Sequence, residues 1–121
     1  MEEIFERYED EGIRHLVVLV TTRDKEEALR IAEVLVSEKL CACANIVDSV
    51  TSVFTWKGSL ERASECLMII KSQVDVFTEM MNRIKEIHSY DVPEIIALPI
   101  LSGNPSYLKW IDEVTGSSLM D

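Results

Sequence analysis

His88 is the side chain in this sequence best suited to hold a transition metal. It closes a helical stretch and is followed at short range by two carboxylates, in the run His88-Ser89-Tyr90-Asp91-Val92-Pro93-Glu94. A neutral imidazole with Asp91 and Glu94 nearby could hold Cu(II), Zn(II) or Ni(II). Acid would release such a metal, because the unprotonated ring is the ligand form. The same residue could instead cap the last helical turn, where the macrodipole favours it. Cys41-x-Cys43 is the second candidate. The strand period of two places both thiols on one face, and soft thiolates suit Cu(I) or Zn(II). A structural zinc site needs four well-spaced ligands, and that pattern is absent. With Cys66 the cysteine count is odd, so no disulfide framework organises the chain and buried thiols are the competing reading.

Machinery for catalysis is not legible. Thr21, Thr22 and Ser52 have no recognisable base, and the four glycines are dispersed rather than gathered into a phosphate loop. The reading is therefore a non-enzyme with no organic cofactor. The adjacent Met80 and Met81 fit a helix core better than a copper box, since neighbours on a helix cannot face one site.

Composition bounds the partners. The 121 residues are 47% apolar and 28% charged, with a net charge of -10, which suits one globular domain. Such an acid balance repels nucleic acid and anionic lipid and permits attraction of cations. No apolar run approaches the roughly 20 residues that span a bilayer. The acidic start, Met1 to Glu11, lacks the basic and apolar regions of a signal peptide, so the cytoplasm is the expected compartment.

The elements that must position these residues follow from periodicity. Residues 1–14 read as an extension, with Ile4, Phe5 and Tyr8 able to form one face of a short helix; 15–116 form the domain and 117–121 a tail. Leu16 to Thr22 is a continuous β-rich run, the mark of a strand covered on both faces. Asp24 caps a helix, with Glu27 completing a capping-box pattern and Ala28, Ile31, Ala32 and Leu35 on one stripe. A strand follows from Leu40 to Trp56 with a bend at Val47-Asp48-Ser49, then a tight turn at Lys57-Gly58. The returning strand, about Leu60 to Lys71, sets Cys66, Met68 and Ile70 against Leu67 and Ile69. A helix over about 74–87 carries Phe77, Met81, Ile84 and Ile87 or His88 on its stripe. Glu94 to Leu101 is a strand that Pro99 demotes to an edge. Asn104-Pro105 opens a last helix with Leu108, Ile111 and Val114 inward, stopped by Gly116. The order β-α-β-β-α-β plus a C-terminal helix predicts an α+β, ferredoxin-like sandwich, helices on one face of the sheet, with an unusually long central hairpin. The uncovered apolar face of so small a chain predicts oligomerisation.

Three segments carry a family likeness: Lys39 to Ile46; Thr51 to Gly58 with Glu65 and Lys71; and His88 to Ile100, closing with Tyr107-Leu108-Lys109-Trp110. In order and spacing they resemble the CutA divalent-cation-tolerance family across roughly residues 15–115. The resemblance implies a homotrimer of ferredoxin-like subunits, similar in architecture to PII trimers, with the long hairpins packed on neighbouring subunits. It also implies a response to metal ions, copper binding in some members, and no established reaction. A His is expected where His88 stands, and Cys43 matches a recurrent Cys, so His88, Asp91, Glu94 and Cys43 form the expected metal set, copper ahead of zinc. Some members carry a Cys where Val20 stands and a second His where Ile87 stands. Trp56, Glu65, Lys71 and Tyr90 are expected along a cleft between subunits, with Lys71 holding an anion or pairing with Glu65 or Glu94. Trp110 is expected to pack the last helix, against a neighbouring chain. The alternative function is a PII-like signalling or scaffold trimer that takes a small molecule or protein in that cleft.

Overall fold

A computed structural model of the chain describes residues 12–116; the expected helix face of Ile4, Phe5 and Tyr8, and the tail 117–121, lie outside the described residues. Four strands, β1 (His15–Thr22), β2 (Cys43–Trp56), β3 (Ser59–Gln73) and β4 (Ile95–Pro99), make one sheet in the order β2-β3-β1-β4. All three pairings are antiparallel. Three helices, α1 (Lys25–Ser37), α2 (Val74–Ile87) and α3 (Pro105–Val114), complete the fold.

Alternation sets the layers. In β1 every second residue, Leu16, Val18, Val20 and Thr22, is buried, and in β3 Cys66, Met68, Ile70 and Ser72 match them. These side chains meet Ala28, Ile31, Ala32 and Leu35 of α1 and Val76, Phe77, Met80 and Ile84 of α2 in one core. Met80, rather than Met81, is the fully buried member of the methionine pair. Asp24 accepts from the Glu27 N–H at 2.9 Å and so caps α1. Asn104 caps α3 through the Ser106 N–H at 3.0 Å, with Pro105 at the first helical position.

The hairpin turns at Lys57 and Gly58, both at positive φ, the sign pattern of the primed turns that match strand twist. Its ladder shifts register between Val47 and Val50, where Ser49 also takes positive φ. That bulge separates an inner half within the body from an outer half that projects beyond it.

Two expectations need correction. The helices are not all on one face. Of the three, α3 lies on the side opposite the main core: His15 Nε2 meets Asp112 Oδ1 at 3.0 Å and the Gln73 amide donates to Thr115 Oγ1 at 2.8 Å. His15 and Gln73 point away from the face that Leu16 and Ser72 turn to the core, so α3 covers one end of the second face and buries Ile111 there. Over the rest of that face Ile96 and Leu98 stay about half exposed. Nor do Cys41 and Cys43 share a strand face. The strand begins at Cys43, and Cys41 sits in the preceding bend, where the period of two does not yet apply. Cys41 is buried in the core, while Cys43 looks to the opposite side beside Lys71.

Candidate functional site

At the end of the sheet where β1 gives way to α1, the segment after α2 crosses in front of β3 and the outer hairpin. Between them lies a groove of about 720 Å³. Val53, Phe54, Trp56, Ala63 and Val92 supply its apolar wall, and Thr21, Ser52 and Tyr90 bring hydroxyls. Four carboxylates, Glu61, Glu65, Asp91 and Glu94, line it, and no basic side chain does. The Tyr90 hydroxyl donates to Glu65 at 2.7 Å, and Thr21 Oγ1 reaches Glu94 at 3.4 Å. Burial, then the hydrogen bond to Glu65 and its charge, push the Tyr90 phenol above its ordinary ionisation range.

Behind the groove His88 is wholly enclosed. Its Nε2 lies 2.8 Å from the Thr21 carbonyl, and its Nδ1 accepts the Tyr90 N–H at 3.0 Å. A carbonyl accepts only, so the proton sits on Nε2 and the ring is the neutral tautomer with both nitrogens committed. Glu27, also fully buried, accepts from the Arg23 N–H at 3.1 Å, the Ser89 N–H at 2.6 Å and the Ser89 hydroxyl at 3.0 Å. Burial pushes its carboxyl up, but these three donors outweigh that and hold it below the usual range.

The expected metal set therefore does not assemble in one subunit. His88 has no free lone pair to offer. Asp91 and Glu94 are exposed on the groove, and Cys43 stands six residues along β3 from Glu65, about 20 Å away at strand spacing. Among the described residues no three His, Cys, Asp or Glu are grouped so as to hold a metal ion. Burial, and then the neighbouring Cys43, push the Cys41 thiol up to about 12, so it is no thiolate at neutral pH.

Of the residues expected along a cleft, Trp56, Glu65 and Tyr90 do meet in the groove. Lys71 does not reach Glu65 or Glu94; its ammonium bonds the Asn45 side chain on the adjacent strand. Trp110 stacks on Tyr107 with ring centroids 5.4 Å apart, at the far end near Cys43. Sequence reasoning missed Glu61, Val53 and Val92, and took Glu27 only for a helix cap. The alternation along the outer hairpin could have placed Glu61 and Ala63 on the face of Glu65; nothing local points to Val92.

An antiparallel four-stranded sheet with three helices and an acidic groove at one end defines an α+β protein. The family model for "CutA1 divalent ion tolerance protein" matches residues 16–114, and the chain belongs to that family. It is 45% identical over 100 residues to the divalent-cation tolerance protein CutA of Thermus thermophilus, covering 83% of this chain and 97% of that one. The solved structure of the Thermus thermophilus protein aligns with a TM-score of 0.83 at 44% identity, over 84% of this chain and 99% of the other. Rice "Protein CutA 1, chloroplastic" is 44% identical over 103 residues, 85% of this chain but only 58% of that longer protein. No helix among the described residues is long and apolar enough to cross a membrane.

Proposed function

We propose that this divalent-cation tolerance protein works as a cytoplasmic homotrimer of ferredoxin-like subunits, not as an enzyme, and that its acidic groove is where cations are held. The strand order β2-β3-β1-β4 and the half-exposed apolar residues of the second face support the trimer. The observation that carries the groove is four carboxylates on one concave surface with no basic side chain among them. Asp91 and Glu94 are the oxygen donors at its outer edge, and ligands from a neighbouring subunit or water complete the set. Affinity at such a site follows the first-row order, so Cu(II) exceeds Zn(II). Organic cofactors, nucleic acid and membranes have no part in this reading.

Titration calorimetry with Cu(II) tests it. An Asp91→Asn, Glu94→Gln double variant should bind at least about tenfold more weakly, since it loses two anionic ligands. Undiminished binding removes the groove from the function. A second reading, a PII-like trimer taking a small molecule in the cleft, is favoured by the groove's size and its Phe54, Trp56 and Tyr90 walls, which suit an organic ligand better than a bare ion. A metabolite that raises Tm more than Cu(II) does would decide for it.

A further inference from the structure

Glu27 is a carboxylate that the fold has enclosed completely, away from any ligand it could touch. Burying a charge costs several kcal/mol unless it is fully hydrogen-bonded. The local sequence offers Glu27 a cheaper role, reaching back as the second half of a capping box. Only the Asp24 half of that box forms. The Glu27 side chain turns inward instead, taking the Arg23 N–H at its own helix and two donors from Ser89, 62 residues along the chain.

Ser89 leads directly into the groove wall. The next residue, Tyr90, is fixed at three points: its N–H to His88 Nδ1 at 3.0 Å, its ring against the His88 ring with centroids 4.8 Å apart, and its hydroxyl to Glu65 at 2.7 Å. Asp91, Val92 and Glu94 follow on the same strand of backbone. The stretch lies between the end of α2 at Ile87 and the start of β4 at Ile95, and besides Glu27 it is tied to Thr21, through His88 Nε2 at 2.8 Å and Glu94 at 3.4 Å.

We infer that Glu27 is the positioning residue of the groove: its buried carboxylate pins Ser89 and so sets where Tyr90, Asp91 and Glu94 stand. The inference deepens the groove reading, because it names what keeps those side chains in place for a ligand. Two titratable groups face the carboxylate: His88 Nδ1, 3.7 Å from Glu27 Oε2, and Tyr90, whose phenol the Glu27 charge helps to raise. His88 Nδ1 accepts from Tyr90 rather than donating to Glu27, so the pinning falls to the Ser89 donors and the Arg23 amide.

Glu27→Gln keeps the shape and removes one acceptor. Three readouts are taken on the full chain: alkaline absorbance titration of Tyr90, assigned by difference from Tyr90→Phe; amide exchange at Ser89 and Tyr90; and Cu(II) calorimetry. In Glu27→Gln the Tyr90 ionisation should fall toward that of an ordinary phenol, in part because the Glu27 charge that raises it is gone; the positioning role is read from both amides, which should exchange faster, and from Cu(II) affinity, which should drop roughly tenfold, as for other supports behind a ligand site. Ser89→Ala, which loses only the hydroxyl donor, should move all three the same way by less. A folded Glu27→Gln with amide protection unchanged overturns the inference, and so does an unchanged Ser89→Ala if the first variant fails to fold. If the unaltered protein binds no Cu(II), the groove reading falls, while amide exchange, read without ligand, still decides the role of Glu27.

Discussion

The central hairpin is one continuous ladder made of two unlike halves. On the inner side of the bulge, Cys43 to Val47 pairs with Leu67 to Lys71, and alternate β3 residues are sealed under α1 and α2. On the outer side, Val50 to Trp56 pairs with Ser59 to Glu65, and most side chains are exposed. There Val53 is 61% exposed, Trp56 50% and Leu60 79%. Backbone hydrogen bonds are made equally in both halves, so the ladder does not explain the difference. What differs is the second layer. Apolar side chains in the inner half exclude water within the subunit, whereas those in the outer half face only the open groove, with Tyr90 and Val92 across it, and stay wet. The inner half therefore builds the fold, and the outer half gives the proposed trimer its contact surface and the groove one of its walls.

The largest expected effect lies in the inner half. Met68→Ala opens a cavity in a fully buried site and should cost about 2–5 kcal/mol in urea unfolding; a loss below about 1 kcal/mol would mean that the inner half is not the core.

Acid should act next, at the enclosed Glu27. The folded carboxyl of Glu27 titrates below its ordinary value of 4.5. Its ionised form is thus favoured by folding, so its contribution is present above that value and is lost as pH falls through the lower, folded one. Glu27→Gln should flatten this part of the stability–pH curve, and an equally steep acid limb in the variant would contradict the assignment.

Tyr90 has the opposite sign. Its phenol is raised from 10.0, so folding favours the protonated form, and that contribution is present below pH 10 and fades as pH rises toward the folded value. Tyr90→Phe should cost about 1 kcal/mol at neutral pH and abolish the alkaline loss. Smallest of all, Leu60→Ser in the outer half, added to a chain kept from assembling by Trp56→Asp, should change stability by no more than about 0.5 kcal/mol; a larger loss would show that the outer half already has a partner within the subunit.

Much of this fold was legible because its signals are local. The helix expected over about 74–87 is α2, the caps at Asp24 and Asn104 form as their spacing implies, and Cys66, Met68 and Ile70 alternate as read. What escaped was non-local or sat at an element's edge. Periodicity gave α3 an inward stripe but could not say which face of the sheet it would meet. Cys41 was given a strand's alternation two residues before the strand begins. His88 looked like a ligand because an imidazole near carboxylates is one in sequence; only the Thr21 carbonyl and the Tyr90 amide, distant or backbone groups, show that its nitrogens are taken. Glu27 met a local pattern that suited it, and a residue 62 positions away claimed it instead.

Sedimentation equilibrium at low micromolar concentration, on the full chain and on Trp56→Asp, tests the division of the hairpin most directly. Three associated chains for the first, and monomer or aggregate for the second, are expected. A well-behaved single chain in the unaltered protein, or a variant that assembles just as firmly, would contradict it.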